Sequence, residues 1–393
     1  MSHSLISLND DLRRLRDEGY EVSVVSAHLL VGHIPYVNSE GQVRHGTLVS
    51  NLSLNGDRTL PPDPHVAHFI GETPCDARGR PLMNLIIGTD PVDLAEGVRV
   101  TTTFSSKPAP PAVYTDYHHK MTTYAVALSS HAEQLDPDVT ARTFAIVDSQ
   151  EEDVFHYLDT ASSRAGIAAL TEKLRTGPVA IVGLGGTGSY ILDLLAKTPV
   201  AEIHLFDQDQ FLQHNAFRSP GAPSKEDLAA AHYKVDYLAK IYTRMRRHIF
   251  AHPLAIDETT VDALDGMAFV FIAVDHGPTK GVIIDRLEAL GIPFVDVGMG
   301  VTIVDSSLIG VVRTTVSTDE GNGRVLARAA ISVEEAPEGD YATNIQIAEL
   351  NALNAAVAVI RFKKLFGFYT DLGGEYSSAY TLDTNILINE ESE

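Results

Sequence analysis

The chain has 393 residues, with 52 acidic against 30 basic side chains and a formal charge of −22. That balance argues against a duplex nucleic-acid or membrane-surface binder, which would present a basic face. A hydrophobic content of 44% with 21% charged residues describes a globular chain, long enough for two or three domains. The single cysteine, Cys75, excludes an intrachain disulfide and a CxxC zinc site. The chain starts without an apolar signal core and holds no apolar run of about 18 residues, so a cytoplasmic location is expected.

In chain order, "SLNDDLRRLRDEGYEV" predicts a short charged helix with Leu8, Leu12 and Leu15 on one face. Strand-like runs follow ("SVVSAHLLVG", "LMNLIIG", "VRVTTTF"), separated by turn-rich pieces, before a helix over about 116–134. Residues 1–150 therefore read as a small α+β domain with long loops. Within it Cys75 lies in a loop between Pro74 and Asp76, and Asp76 raises rather than lowers its pKa. It is read either as an ordinary small core or loop residue or as an accessible thiol. His65, Cys75 and the "DYHHK" stretch (Asp116 to Lys120) are irregularly spaced for a metal cluster.

Residues 151–393 form the second domain. It opens with mostly helical chain to about residue 177 and continues with alternating strands and helices. "PVAIVGL", "AEIHLFD", "AFVFIAVD" and "PFVDVGM" are near-continuous apolar runs, as expected of parallel strands buried on both faces. The expected fold class is α/β, a Rossmann-like, mostly parallel sheet with flanking helices. "DLAAAHYKVDYLAKIYTRM" reads as one long helix, the basic "YTRMRRH" as its solvated end, and "SLIGVVRTTV" as a later antiparallel addition. The last helix carries Asn344, Gln346, Glu349, Asn351 and Asn354 among alanines and leucines, facing either a substrate tail, an interface or solvent. The tail beyond it has few packing signals.

Gly183, Gly185, Gly186 and Gly188 fall between an apolar strand and an amphipathic helix, the setting in which a glycine turn cradles phosphate on a helix N-terminus. Asp207 ends the second strand, where a carboxylate holds a ribose hydroxyl. To this point NAD and ATP are not distinguished. Asn215 and Arg218, three apart, share one face of a helical turn, and Arg218 is a fixed cationic fork suited to phosphate oxygens. Hydride transfer develops no new phosphate charge to stabilise, whereas cleavage of ATP does. Lys234 lies near a helix start, and Asp275 sits at a strand end, where it reads either as a Mg²⁺ ligand beside a triphosphate or as a helix N-cap.

This ordered set resembles the ThiF/MoeB superfamily, which includes the activating enzymes of ubiquitin-like proteins. The matching signals are "GLGGTG", the D-x-D-x(5)-N-x-x-R pattern at Asp207, Asp209, Asn215 and Arg218, the downstream Lys234, and Asp275; the resemblance covers about residues 160–370. It implies ATP-dependent adenylation of the C-terminal carboxylate of a ubiquitin-like protein, with release of pyrophosphate. It further implies that the glycines, Asp207 and Asp209 hold the nucleotide, that Asn215, Arg218 and Lys234 bind phosphates, and that Asp275 binds magnesium. Members borrow an arginine from a second subunit, so Arg164 is a candidate for that role in a homodimer, or else a residue of helix capping. The chain departs from the family in lacking its zinc-binding CxxC pairs and any cysteine after the adenylation core. The acyl group then stays as adenylate, passes to a thiol on a conjugating partner, or reaches Cys75. The first domain is expected to recruit the ubiquitin-like protein or the conjugating partner. Alternative readings are an adenylyltransferase acting on a sulfur-carrier protein or peptide, an NAD(P)-dependent oxidoreductase, and an inactive scaffold.

Overall fold

The computed structural model describes residues 2–108, 113–149, 153–319, 323–333 and 345–391. The chain forms two compact units: Met1–Val147 together with Asp159–Ala168, and Asp148–Leu158 together with Ala169–Glu393. Side-chain chemistry explains the two short segments. Arg13 and Arg16 donate to the carbonyl and hydroxyl of Ser163, at 2.9 and 2.6 Å, which holds the helix Thr160–Arg164 in the first unit. In the second unit Arg247 donates to the carbonyl of Asp153 at 2.8 Å, and His156 contacts the carbonyl of Thr243 at 2.9 Å. Among the described residues no helix is long and apolar enough to cross a membrane.

The first unit is built on a six-stranded antiparallel sheet in the order Glu21–Val25, His28–Val37, Val43–Asn51, Ala67–Ile70, Thr102–Phe104, Ile86–Gly88. Helices Asp10–Asp17 and Tyr117–Glu133 bury Leu12, Leu15, Met121 and Tyr124 against Leu29, Val31, Phe69 and Phe104 of the sheet. Leu8 is exposed, because the chain breaks at Asn9 between two short helices and the expected leucine stripe starts only at Leu12. The carboxylate of Asp116 caps the second helix by accepting from the His119 N–H at 2.7 Å.

Lys120, 1% exposed, is buried within this unit and donates to Ser50 Oγ at 2.9 Å and to the Pro64 carbonyl at 2.8 Å. Burial disfavours its charged form and lowers its pKa to about 8. In the unfolded chain the group keeps its ordinary value, so between pH 8 and about 10.5 the unfolded state binds more protons and stability rises with pH. Below that window the cost of the buried charge is fully present. Relative to Lys120→Met, the wild type should gain about 3 kcal/mol between pH 7.5 and 10.5 in denaturant titrations. A constant difference between the two proteins over that range would contradict the assignment.

The second unit holds one eight-stranded sheet. Its strands are β1 (Val179–Val182), β2 (Ile203–Phe206), β3 (Ile249–His252), β4 (Phe269–Ile272), β5 (Phe294–Val304), β6 (Ser307–Ser317), β7 (Glu375–Thr381) and β8 (Ile386–Glu391). Their order is β3-β2-β1-β4-β5-β6-β7-β8; the first five run parallel and the remaining pairings are antiparallel. Helices α1 (Gly186–Leu195), α2 (Gln213–Ala216), α3 (Lys225–Ala230), α4 (Lys234–Tyr242), α5 (Gly277–Leu290), α6 (Gly323–Ala330) and α7 (Ala348–Leu365) accompany it.

The apolar runs of β1 and β4 are explained by alternation. Val179, Ile181, Phe269 and Phe271 face a core with Leu192 of α1 and Phe362 of α7, whereas Ala180, Val182, Val270 and Ile272 face Ile283 and Leu287 of α5. Both faces of the sheet are thus covered, and the α/β class follows. The antiparallel share is larger than expected, because the tail lacking packing signals folds as the β7–β8 hairpin and extends the sheet.

Two further expectations are corrected. The long helix over "DLAAAHYKVDYLAKIYTRM" is broken: Ala231 takes a left-handed conformation, and the 231–234 segment turns to pair with 209–211. Phe211 N–H donates to the His232 carbonyl and Lys234 N–H to the Asp209 carbonyl, each at 2.8 Å, which places Lys234 at the first position of α4. The basic "YTRMRRH" is not simply a solvated end either. Arg246 is fully buried, donating to the carbonyls of Thr198 at 3.1 Å and Val200 at 2.6 Å, and burial lowers its pKa to about 10.

Candidate active site

The chain leaves β1 for β2 and β3 on one side, then crosses to β4 and β5 on the other. Strand order therefore reverses between β1 and β4, and a crevice opens at their carboxyl ends, where ligands bind in such sheets. A cleft of about 370 Å³ occupies this place. It is lined by the glycine turn after β1, by Asp207 and Asp209 after β2, by Asp275 after β4, and by Arg218, Lys234, Gln346 and Asn351.

The glycine turn is fixed by backbone crowding. Gly183 has φ +92°, and a Cβ there would lie 2.5 Å from the Ala273 carbonyl oxygen. A Cβ on Gly188 would lie 1.9 Å from the Gly183 carbonyl oxygen, so α1 starts hard against the turn. A side chain on Gly185 would meet nothing within 4 Å, which leaves the helix N-terminus open toward the cleft.

Asp207 organises the neighbourhood. Its Oδ2 accepts from Leu184 N–H at 2.7 Å, and its Oδ1 accepts from Asp209 N–H at 2.8 Å. Lys234 Nζ lies 3.3 Å from Asp207 Oδ2 and 2.7 Å from Asp209 Oδ2. The lysine expected among phosphate ligands thus already neutralises two carboxylates in the cleft. Asp209 remains mostly exposed, with lone pairs available for further donors.

Asn215 does not line the cleft. It is buried, and its Oδ1 accepts from Leu212 N–H at 2.8 Å, closing the turn of α2 that leads to Arg218. Arg218 lines the cleft, and its Nε is buried with no hydrogen-bond partner among the described residues. Asp275 is exposed at the cleft and accepts from Gln346 Nε2 at 3.2 Å. The N-cap of α5 is His276, not Asp275. Arg164 is exposed at the end of its helix in the first unit and does not line this cleft.

Of the polar residues noted on the last helix, Asn344 lies outside the described residues, Glu349 is exposed, and Asn354 is buried between Thr314 Oγ1 and the Gly298 carbonyl. An ion pair next to the cleft is not announced by any motif in the sequence. Lys280 and Asp296 are both buried and lie 2.6 Å apart, while the neighbouring Val297 and Gly298 line the cleft. Burial raises the Asp296 pKa, Lys280 and Arg313 oppose that rise, and Asp275 adds to it. The signal was an aspartate interrupting the apolar run "PFVDVGM".

Cys75, in the first unit, is 1% exposed, and its Sγ lies 3.3 Å from the Thr73 carbonyl oxygen. Burial, then Asp76 and Glu72, push its thiol pKa up. The accessible thiol is thereby corrected to a core residue. Cys75→Ala should leave ATP-dependent formation of any reducible conjugate within about twofold of wild type, as seen on non-reducing gels. Loss of the conjugate would contradict this. His65 and His68 contact Ser105 Oγ and Thr103 Oγ1, and among the described residues no three His, Cys, Asp or Glu side chains gather as a metal cluster.

A model of the ThiF family matches residues 158–379, more than half of the chain. The chain belongs to the ThiF family. A domain of unknown function (DUF6791) matches residues 10–160. Curated relatives of this ThiF chain include ubiquitin-like modifier-activating enzyme 5 of Drosophila persimilis, 29% identical over 126 residues, and of Mus musculus, 36% identical over 72 residues. These alignments cover 32% and 18% of this chain, and 31% and 18% of the relatives' own length. Among solved structures, Escherichia coli MccB with ATP is 18% identical with a TM-score of 0.44, covering 59% of this chain and 69% of that one. PaaA is 18% identical with a TM-score of 0.44, covering 57% and 75%.

Proposed function

We propose that the ThiF unit catalyses ATP-dependent adenylation of a substrate carboxylate with release of pyrophosphate, and that the substrate is a ubiquitin-like protein ending in glycine. The observation that carries this reading is Arg218, which lines the cleft with the glycine turn, Lys234 and Asp275 and whose buried Nε has no hydrogen-bond partner among the described residues. Family membership and the printed name of the curated relatives support it.

The substrate carboxylate is already ionised and needs no general base. The task is alignment with the α-phosphorus and neutralisation of the leaving pyrophosphate. The α1 N-terminus offers N–H groups to phosphate oxygens, and Arg218 supplies a fixed cationic fork. Lys234 holds Asp207 and Asp209 in place, leaving the exposed Asp209 to accept from ribose hydroxyls. Magnesium retains water and takes only one or two protein carboxylates beside a triphosphate, so Asp275 suffices as its protein ligand. When bound, the ion neutralises phosphate charge.

With Cys75 buried, the acyl group either stays as adenylate or passes to a thiol on a conjugating partner, and the first unit is proposed as the recruitment surface for that partner or for the ubiquitin-like protein. A homodimer would let Arg164 of one copy serve the cleft of another. A sulfur-carrier or peptide substrate would share the first step, whereas a dehydrogenase reading leaves Arg218 and Asp275 without a task. ATP with Mg²⁺ should raise the melting temperature by several degrees, with NAD leaving it unchanged. The opposite pattern would overturn the proposal.

A further inference from the structure

Three polar atoms buried without hydrogen-bond partners among the described residues belong to side chains lining this one cleft: Arg218 Nε, Gln346 Oε1 and Asn351 Nδ2. A buried polar group left unpaired costs about 1–3 kcal/mol, so their gathering around a cavity points to a ligand that pairs with them. Arg218 is accounted for by the proposed function. Asn351, which comes from α7 far along the chain from the glycine turn, is not.

Asn351 is 1% exposed, in the first turn of α7. Its Oδ1 accepts from Thr187 Oγ1 at 2.9 Å, which fixes the plane of the carboxamide and turns Nδ2 toward the start of α1. There it occupies the place a side chain on Gly186 would need: a Cβ on that residue would lie 2.1 Å from Nδ2. The glycine at 186 thus admits an amide donor beside the open N–H groups of a ten-residue helix. The support behind Asn351 is also fixed, since Asn354, one turn later on α7, bridges Thr314 and the Gly298 carbonyl at 2.9 and 3.0 Å.

We propose that Asn351 Nδ2 donates a hydrogen bond to an anionic oxygen held at the N-terminus of α1, so that the last helix of the ThiF unit completes its anion cradle. That oxygen belongs either to a phosphoryl group of the nucleotide or to the carboxylate of the acyl substrate. The inference rests on the proposed adenylation.

Asn351→Asp keeps the size of the side chain and the acceptor for Thr187 while replacing the donor with a negative charge, and Asn351→Ala removes the amide altogether. Melting temperatures of the unliganded proteins control for folding. Titration with α,β-methylene ATP and Mg²⁺ should show at least about a tenfold loss of affinity in both variants if the oxygen is phosphoryl, with more in the aspartate. If it is the substrate carboxylate, nucleotide affinity stays at the wild-type value. ATP–pyrophosphate exchange supported by a glycine-terminated ubiquitin-like protein then falls by about tenfold or more. Either result sustains the role of Asn351. Folded variants that match wild type within twofold in both measurements would overturn it and leave the adenylation reading intact. A wild-type protein that binds no ATP analogue would remove that reading and this inference together.

Discussion

Arg218→Ala is expected to lower ATP–pyrophosphate exchange by about 100- to 1,000-fold while leaving the melting temperature of the unliganded protein unchanged. The guanidinium lines the cleft, and its Nε makes no hydrogen bond among the described residues, so its removal should leave no partner orphaned in the resting protein. The loss should therefore fall on the step in which charge builds on pyrophosphate. Arg218→Lys should recover little, because an ammonium offers a point charge where a planar fork meets two oxygens. Exchange within threefold of wild type in Arg218→Ala would remove this residue from the machinery.

Gly188→Ala is expected to destabilise the ThiF unit by about 3 kcal/mol or more, as read from denaturant midpoints. The added methyl would meet the Gly183 carbonyl oxygen at 1.9 Å and the Gly183 carbonyl carbon at 2.9 Å, both backbone atoms that cannot swing aside. Gly183 cannot yield either, since its own φ of +92° and the hydrogen bond from its N–H to the Phe206 carbonyl at 2.8 Å hold the turn. Gly185→Ala is the informative contrast. Its methyl meets nothing within 4 Å, so the fold should keep its stability while nucleotide affinity falls, because Gly185 lines the cleft. Equal stability of the Gly188→Ala and Gly185→Ala proteins would contradict the crowding argument.

The parallel half of the ThiF unit was legible because its chemistry is local. A glycine turn between an apolar strand and a helix, with carboxylates at strand ends, reads directly from spacing, and the structure brings Gly183, Gly185, Gly186, Asp207, Asp209, Arg218, Lys234 and Asp275 to one cleft. What escaped depends on distant partners. Asn215 has the spacing of a ligand, yet its carboxamide oxygen is engaged by Leu212. The break before Lys234 arises from pairing of Gln210 with Tyr233, which helix periodicity cannot show. Arg246 sits in a basic run on paper and in the core in space, because the open carbonyls of Thr198 and Val200 need a donor. The β7–β8 hairpin has no strong signal of its own and takes its order from the neighbouring β6. In the first unit the helices were readable, but burial of Cys75 depends on pairing with Val37 and Pro81 across the loop.

The most direct test of the central claim is isotopic exchange between pyrophosphate and ATP by the purified wild-type protein, with Mg²⁺ and a glycine-terminated ubiquitin-like protein. The expected result is exchange that requires the terminal glycine of that protein and disappears when the glycine is removed. Absence of exchange with every glycine-terminated ubiquitin-like protein tried, by a folded protein whose melting temperature rises with NAD and not with ATP, would contradict it.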